Sequence, residues 1–478
     1  MTKYYPFLFP FLLISFIFSA FILTKSKTLN FELLQSSNEK FEITIDDAPV
    51  IMINKFIIPT TLTTTRPVKV SISGKSQTIT FPKINKLSVV PVNFHFKDKS
   101  KDYLILTRPP FLPQLSTKGK FPEKGYILIS FHGLQLVDPS YSLVLDAQGN
   151  ILYYRGNPEL NRSMFNLKKI VLPQNKIRYI THVQNDAGIT LSWVRGYYLI
   201  MDEKFNVIDK VKLLPTNKHP ALLADEHDLL MIDDGHYIAI GYNVKDTVLP
   251  NGKKSQIVHN VIQEQKDGKV LLDWNSEDYP FLQNTCYEKC PQENSRNADY
   301  VHTNSLFIDP QDENIILSSA SGYFVMKIER HSGKIIWILG GKNDNFRIPK
   351  ENIFLRQHAV YFNDEHKLII LDNQFSVLPP RYYKNENILP PLKYSRVLSF
   401  DIDEKNKKIN SIEQFPLDFK IEFMGSAEKL ENGNWLIGCG SSYKCAARVI
   451  NTKGKILWQL NVQQPYKTFR TYYIPTLY

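Results

Sequence analysis

The sequence is poor in cysteine, with four in 478 residues, and after Thr24 it has no apolar run long enough to cross a bilayer, which takes about 20 residues. A polytopic membrane protein is excluded. Long amphipathic helical stretches are missing too. With 28 prolines, 21 glycines and 12% aromatics, the chain instead suits many short strands joined by turns. Uninterrupted basic runs are also lacking. The net charge is +11, but clusters such as Lys405–Lys408 follow Asp403 and Glu404 and read as solvated turns. Nucleic acid is therefore not an expected partner, and the charge acts as general steering towards anions.

The chain does contain one uncharged segment, Tyr4–Thr24, flanked by Lys3, Lys25 and Lys27. Cleavage after Ala20 would put Phe18 where a signal peptidase expects a small residue. Residues 1–27 are thus expected to be a signal anchor, with a cleaved signal peptide left open. The cysteines form two close pairs, Cys286/Cys290 and Cys439/Cys445. In an exported chain these read as two short-loop disulfides. A zinc site built from both pairs fits the spacing poorly.

Residues 28–118 alternate apolar and polar side chains over Phe41–Ile45, Ile51–Ile58, Lys69–Ser73, Thr78–Phe81 and Lys86–Phe96. This is the period of half-buried strands, and a small β-sandwich-like domain is expected. It ends near the proline-rich Arg108–Pro113, a stiff linker. Over 119–478 a phrase recurs six times, a polar turn followed by a β-rich run, with turn positions at Gly149, Asn206, Gly268, Gly333, Lys407 and Gly454. Repeats of several tens of residues mark propellers. The expectation is an all-β protein with a six-bladed β-propeller, in which Trp274, Trp337 and Trp458 wedge between sheets.

A second phrase, strand then polar turn then strand, starts at His227, His302, His358 and Ser426. Equivalent starting positions on successive blades form a ring at one end of the axial channel. Three histidines in one register suggest either metal binding or covalent transfer through an imidazole. The phrase His302-Thr303-Asn304 favours transfer. Alternation on a strand would place the Asn304 amide beside His302, as a donor to an anionic oxygen.

The runs His302–Gly340, Arg356–Phe362, Ile369–Gln374, Ser395–Asp403 and Gly425–Gly438 resemble the bacterial aryl sulfotransferases, periplasmic enzymes that move sulfate between phenols without a nucleotide donor. The resemblance covers about residues 120–470. It implies an aryl sulfate and a phenol as small-molecule partners, no cofactor, and a body in the periplasm, anchored at the inner membrane by the N-terminal segment. It also implies that His358 is the nucleophile and forms a sulfohistidine. By the same resemblance His227 handles the phenolic proton or binds sulfate, and His302 with Asn304 holds the sulfuryl oxygens. At position 320 the family's Ser-Ser-Arg phrase reads Leu317-Ser318-Ser319-Ala320, so the arginine that contacts sulfate is missing. Arg356 and Arg396 are the candidates to replace it, and Ser426 is a further substrate-binding candidate. The alternative is an altered or inactive propeller that serves as an extracytoplasmic binding or scaffold protein. A quinone-dependent dehydrogenase propeller is disfavoured, because vicinal cysteines and tryptophan repeats are absent. A homodimer through the N-terminal β domain stays open.

Overall fold

The computed structural model describes strand residues 29–32, 43–45, 55–58, 66–72, 75–81, 89–96 and 99–107. It also describes residues 112–478 except 134–139, 157–161, 186–192, 249–251, 292–296, 380–382, 384–387 and 464–465. The expected anchor, Tyr4–Thr24, lies outside the described residues. Among the described residues no helix is long and apolar enough to cross a membrane.

These residues divide into two compact units, one up to Thr107 and the other from Leu112 on. In the first, Leu29–Glu32, Val89–Phe96, Lys99–Thr107 and Lys55–Ile58 form one sheet, and Ile43–Ile45, Arg66–Ile72 and Lys75–Phe81 form another. Two pairings, Leu29–Glu32 with Val89–Phe96 and Lys55–Ile58 with Lys99–Thr107, are parallel.

In the second unit the hydrophobic runs form antiparallel sheets arranged as a β-propeller. Three sheets have four strands each. One begins at Thr303–Ile308, one at His358–Phe362, and one joins Tyr126–Gly133, Tyr141–Asp146 and Ile151–Gly156 to the C-terminal strand Tyr466–Ile474. A fourth, starting at Ser426–Lys429, has five strands because Leu115–Gly119 adds to Ile456–Val462. The remaining strands, from Met164–Leu172 to Asn297–Ala298, belong to one nine-stranded sheet. Four separate blades are therefore delimited where six were expected. The cause is local: Arg195 and Gly196 pair with Asp225 and Ala224, so the hydrogen-bond ladder never breaks between two runs of the repeat. The pairing of Tyr466–Ile474 with Tyr126–Gly133 brings the last strand of the chain to the first sheet.

The recurring turns have one physical basis. Asp146 Oδ1 accepts from the backbone N–H groups of Gln148 and Asn150, both at 2.9 Å, and Asn451 Oδ1 does the same for Lys453 and Lys455 at 3.0 and 2.9 Å. The chain then reverses through left-handed residues, Gly149 (φ 82°), Gly268 (74°), Gly333 (74°), Lys407 (54°) and Gly454 (78°). In the second copy the left-handed residue is Phe205 (63°), one position before Asn206.

Each core joins consecutive sheets. Trp274 packs with Leu306 and Phe324 of the next sheet, Trp337 with Phe362 and Phe400, and Trp458 with Ile129 and Leu143. Burying such a large apolar side chain contributes about 1.5–3 kcal/mol. Lys327 is a polar staple between sheets, with Nζ 2.7 Å from Asp309, 2.7 Å from Asp312 and 2.6 Å from Glu404. The Trp337 indole N–H donates to Glu404 as well, at 2.8 Å. Cys286–Cys290 and Cys439–Cys445 are disulfide-bonded, in the expected pairing.

Candidate functional site

The structure brings His227, His302 and His358 together. The His227 ring centroid lies 5.1 Å from that of His302 and 6.5 Å from that of His358. All three are buried. Their backbones arrive differently. His358 opens its strand, His227 sits inside Ala224–Asp233 at an irregular stretch of the ladder, and His302 precedes Thr303–Ile308 with φ 52°.

Each imidazole is fixed through Nδ1. In His227 it bonds to Asp225 Oδ1 at 2.6 Å, and in His302 to Asp299 Oδ2 at 2.7 Å. In His358 it meets both Asn373 Oδ1 (2.9 Å) and the Arg356 carbonyl (3.0 Å). The Asn373 amide is itself oriented, since Nδ2 donates to the carbonyls of Ile421 (3.0 Å) and Met424 (3.1 Å). The Met424 N–H then donates to His358 Nε2 at 3.3 Å. This network assigns the tautomer: His358 carries its proton on Nδ1 and keeps a lone pair on Nε2.

Burial dominates the electrostatics. It pushes His358 well below the usual imidazole range, helped by His227 and Arg470 and opposed by Asn373. Burial also lowers His302, to about 4, against the pull of Asp299. Asp299 stays ionised, because His302 and Lys289 outweigh its own burial. Burial lowers His227 too, despite nearby Glu226. Asp225 is pushed up to about 7 and Glu226 well above the usual carboxylate range, again by burial first. Burial thus favours the neutral form of both carboxyl groups beside His227.

Several expected contacts are corrected. Strand alternation does not carry from His302 to Asn304, because His302 is left-handed and the ladder shifts between Thr303 and Ser305. The Asn304 Nδ2 instead donates to the Gln357 carbonyl at 2.6 Å, and its Oδ1 is buried without a partner. Arg356 likewise precedes its strand with φ 49°, and its guanidinium bonds the buried Glu288 at 2.6 Å through Nε and Nη2. Arg396 is engaged by Asp372 (2.8 Å), Gln414 and the carbonyls of Glu351 and Ile353. Neither arginine is a free fork. Ser426 Oγ donates to the Thr471 carbonyl (2.9 Å) and accepts from the Thr471 N–H (3.0 Å), which latches the C-terminal strand.

Asp225, Glu226, Asp299 and Arg470 were not singled out from the sequence. Arg470 had only the weak signal of a cation inside an apolar and aromatic strand. Asn373 lies in the Leu371-Asp372-Asn373 phrase, which was legible as a motif but not as a partner of His358.

Among the described residues the three imidazoles do not bring their ligand atoms within 4.8 Å of one another. One set that does is Asp225, Glu226 and His227, whose two carboxyl groups burial pushes towards the neutral form. Another is Asp309, His366 and Glu404, where the Lys327 ammonium already bonds Asp309 and Glu404.

Comparison with known proteins gives one family match. The pattern of the arylsulfotransferase (ASST) family fits residues 97–473. No curated protein matches the chain. Among solved structures, a Bacteroides caccae protein of unknown function shares 9% identity, covering 74% of this chain and 100% of that one, with a TM-score of 0.37. A periplasmic gluconolactonase from Pseudomonas aeruginosa shares 10%, covering 73% and 99%, with a TM-score of 0.37. Virginiamycin B lyase from Staphylococcus aureus shares 10%, covering 74% and 100%, at 0.34. Similarity this low carries no argument about chemistry.

Proposed function

Because the chain belongs to the arylsulfotransferase family, we propose that it moves a sulfuryl group from an aryl sulfate to a phenolic acceptor through a sulfohistidine at His358. The observation that carries this reading is the tautomer of His358, with its Nδ1 proton held by Asn373 and Arg356 and its lone pair on Nε2. A buried, neutral, oriented imidazole is a ready nucleophile.

In the first half-reaction His358 Nε2 gives its lone pair to sulfur, an N–S bond forms and the S–O bond to the aryl group breaks. The phenolate takes a proton from His227, which the Asp225/Glu226 pair resupplies. The conjugate phenol, with a pKa of about 10, is too poor a leaving group without such help. The sulfohistidine ring carries a positive charge that its Nδ1–H shares with Asn373. In the second half-reaction the acceptor phenol returns a proton to His227 and attacks sulfur, and His358 is released neutral. Asn304 has a second Nδ2–H to offer a sulfuryl oxygen. For His302 to donate through Nε2 the arriving anion must bring a proton to the ring, since burial holds the free imidazole near 4 even beside Asp299.

Several further readings accompany this one. Counting the nine-stranded sheet as two blades joined at Arg195–Gly196 and Ala224–Asp225 gives a six-bladed propeller. The disulfides support a periplasmic body, with Tyr4–Thr24 as inner-membrane anchor or signal. A chromogenic aryl sulfate plus phenol should release the chromophore with ping-pong kinetics, and His358→Ala should abolish release. Sustained release by folded His358→Ala protein would refute the nucleophile. A second reading, a binding propeller without turnover, is favoured only by Ala320, and wild-type protein that releases no chromophore would establish it.

A further inference from the structure

Position 320 offers the site no charge: Ala320 is buried, and its N–H donates to the His302 carbonyl at 3.0 Å. The other arginines considered for that role are tied to carboxylates, Arg356 to Glu288 and Arg396 to Asp372. Arg470 is different. It lies in the middle of the C-terminal strand Tyr466–Ile474 and is buried. Its Nη1 reaches Asp228 Oδ2 (3.0 Å) and its Nη2 reaches the Asn304 carbonyl (2.6 Å), so one guanidinium bridges the strands that carry His227 and Asn304. Its Nε is enclosed without a partner.

Asp228 is shared between two cations, since Lys168 Nζ also lies 3.7 Å from its Oδ1. Burying an ion pair seldom stabilises a fold by itself, so a buried Arg470 is poorly explained as a structural pair alone. A guanidinium with a free N–H is also the group best shaped to hold a sulfate-like oxyanion.

We infer that Arg470 supplies the positive charge that holds the sulfuryl oxygens at the histidine ring, the role for which position 320 carries no cation. The inference rests on the aryl-sulfate reading of the site. Arg470 exchanges no proton and forms no covalent bond. It draws the sulfuryl group towards His358 and offsets the charge that gathers on the oxygens as sulfur passes between nucleophile and leaving group. Its presence on the closing strand also makes the site depend on the chain's last strand being in place.

The test uses the full chain as Arg470→Lys, Arg470→Gln and the double variant Arg470→Gln/Asp228→Asn, in which no buried carboxylate is left stranded. Two readouts are taken: thermal stabilisation by inorganic sulfate, and the burst of chromophore from an aryl sulfate without acceptor. The double variant should fold, lose the sulfate response and slow the burst by about 10²–10³, the usual effect of removing one oxyanion donor. Arg470→Lys should recover part of both. The acid limb of the burst should also move to higher pH, since a fixed cation no longer opposes protonation. The groups facing His227 there are Glu226, Asp228 and Asp299, and those facing His358 are His227, His302 and Asn373. A folded double variant that keeps the sulfate response, or keeps its burst within a factor of about three of the wild type, overturns the inference. If the wild type shows no burst, the sulfotransfer reading fails on its own. The sulfate arm then still decides Arg470: a response lost in the double variant upholds it, and a response unchanged or absent in the wild type overturns it.

Discussion

Replacing Asn373 by alanine removes the side-chain acceptor that holds the Nδ1–H of His358 at 2.9 Å. During transfer that N–H belongs to a positively charged ring, and hydrogen bonds to charged groups contribute about 1.5–3 kcal/mol. The Arg356 carbonyl, 3.0 Å from the same nitrogen, remains as a second acceptor, which puts the loss at the lower end. The burst of chromophore from an aryl sulfate, followed by stopped flow without acceptor, should slow by about tenfold, since ~1.4 kcal/mol is one decade in rate. The variant also strands the carbonyls of Ile421 and Met424 and should lose about 1–3 kcal/mol of stability. Asn373→Asp separates the two effects. It keeps an acceptor on Nδ1, and its carboxylate raises the His358 pKa, so the burst should survive with its acid limb moved towards neutral pH. A burst unchanged in Asn373→Ala, with only the melting temperature lowered, would refute the role of Nδ1 in transfer.

Stability should rise between about pH 4.5 and 6.5. His132 and His302 are held near 4 and His182 near 3, mainly by burial, so the unfolded chain takes up protons there that the native one does not. Asp225 and Glu428, each pushed up to about 7, oppose this by losing stability as pH rises over the same window, as do Glu226 and Asp372, also raised by burial; these four are outnumbered once His227, His259 and His358, lowered by burial as well, join the three histidines above. A higher urea midpoint at pH 5 than at pH 6.5 would contradict the balance. Ser426→Ala should cost about 1–3 kcal/mol by unlatching Thr471, with the burst rate nearly unchanged; a lost burst in stable protein would return Ser426 to the binding site. Replacing Cys439 and Cys445 together by serine should cost roughly 2 kcal/mol for so short a loop, and an unshifted urea midpoint would speak against that contribution.

What the sequence made legible follows from periodicity. The turn phrases were readable because Asp146 and Asn451 cap their own turns and Gly149, Gly268, Gly333 and Gly454 take left-handed backbone, all within a few residues. The three histidines were grouped by the same recurrence, although their backbones reach the site from different strand positions. The partners of those histidines were not. Asp225 and Asp299 reach their rings through local backbone irregularity, which alternation does not describe. Arg470 stands 242 residues from Asp228 and meets it only because the last strand joins the first sheet. The continuous nine-stranded ladder was not legible, because the contact of Arg195 and Gly196 with Asp225 and Ala224 has no signature in composition or spacing.

The central claim is that sulfur becomes bonded to His358. Intact and peptide mass spectrometry of the chain after exposure to an aryl sulfate, with no acceptor present, tests it directly. One added SO3 group on the peptide that contains His358, lost on adding phenol and absent from His358→Ala, is the predicted result. A protein that releases phenol yet carries no adduct, or carries it on His227 or His302, would contradict the account.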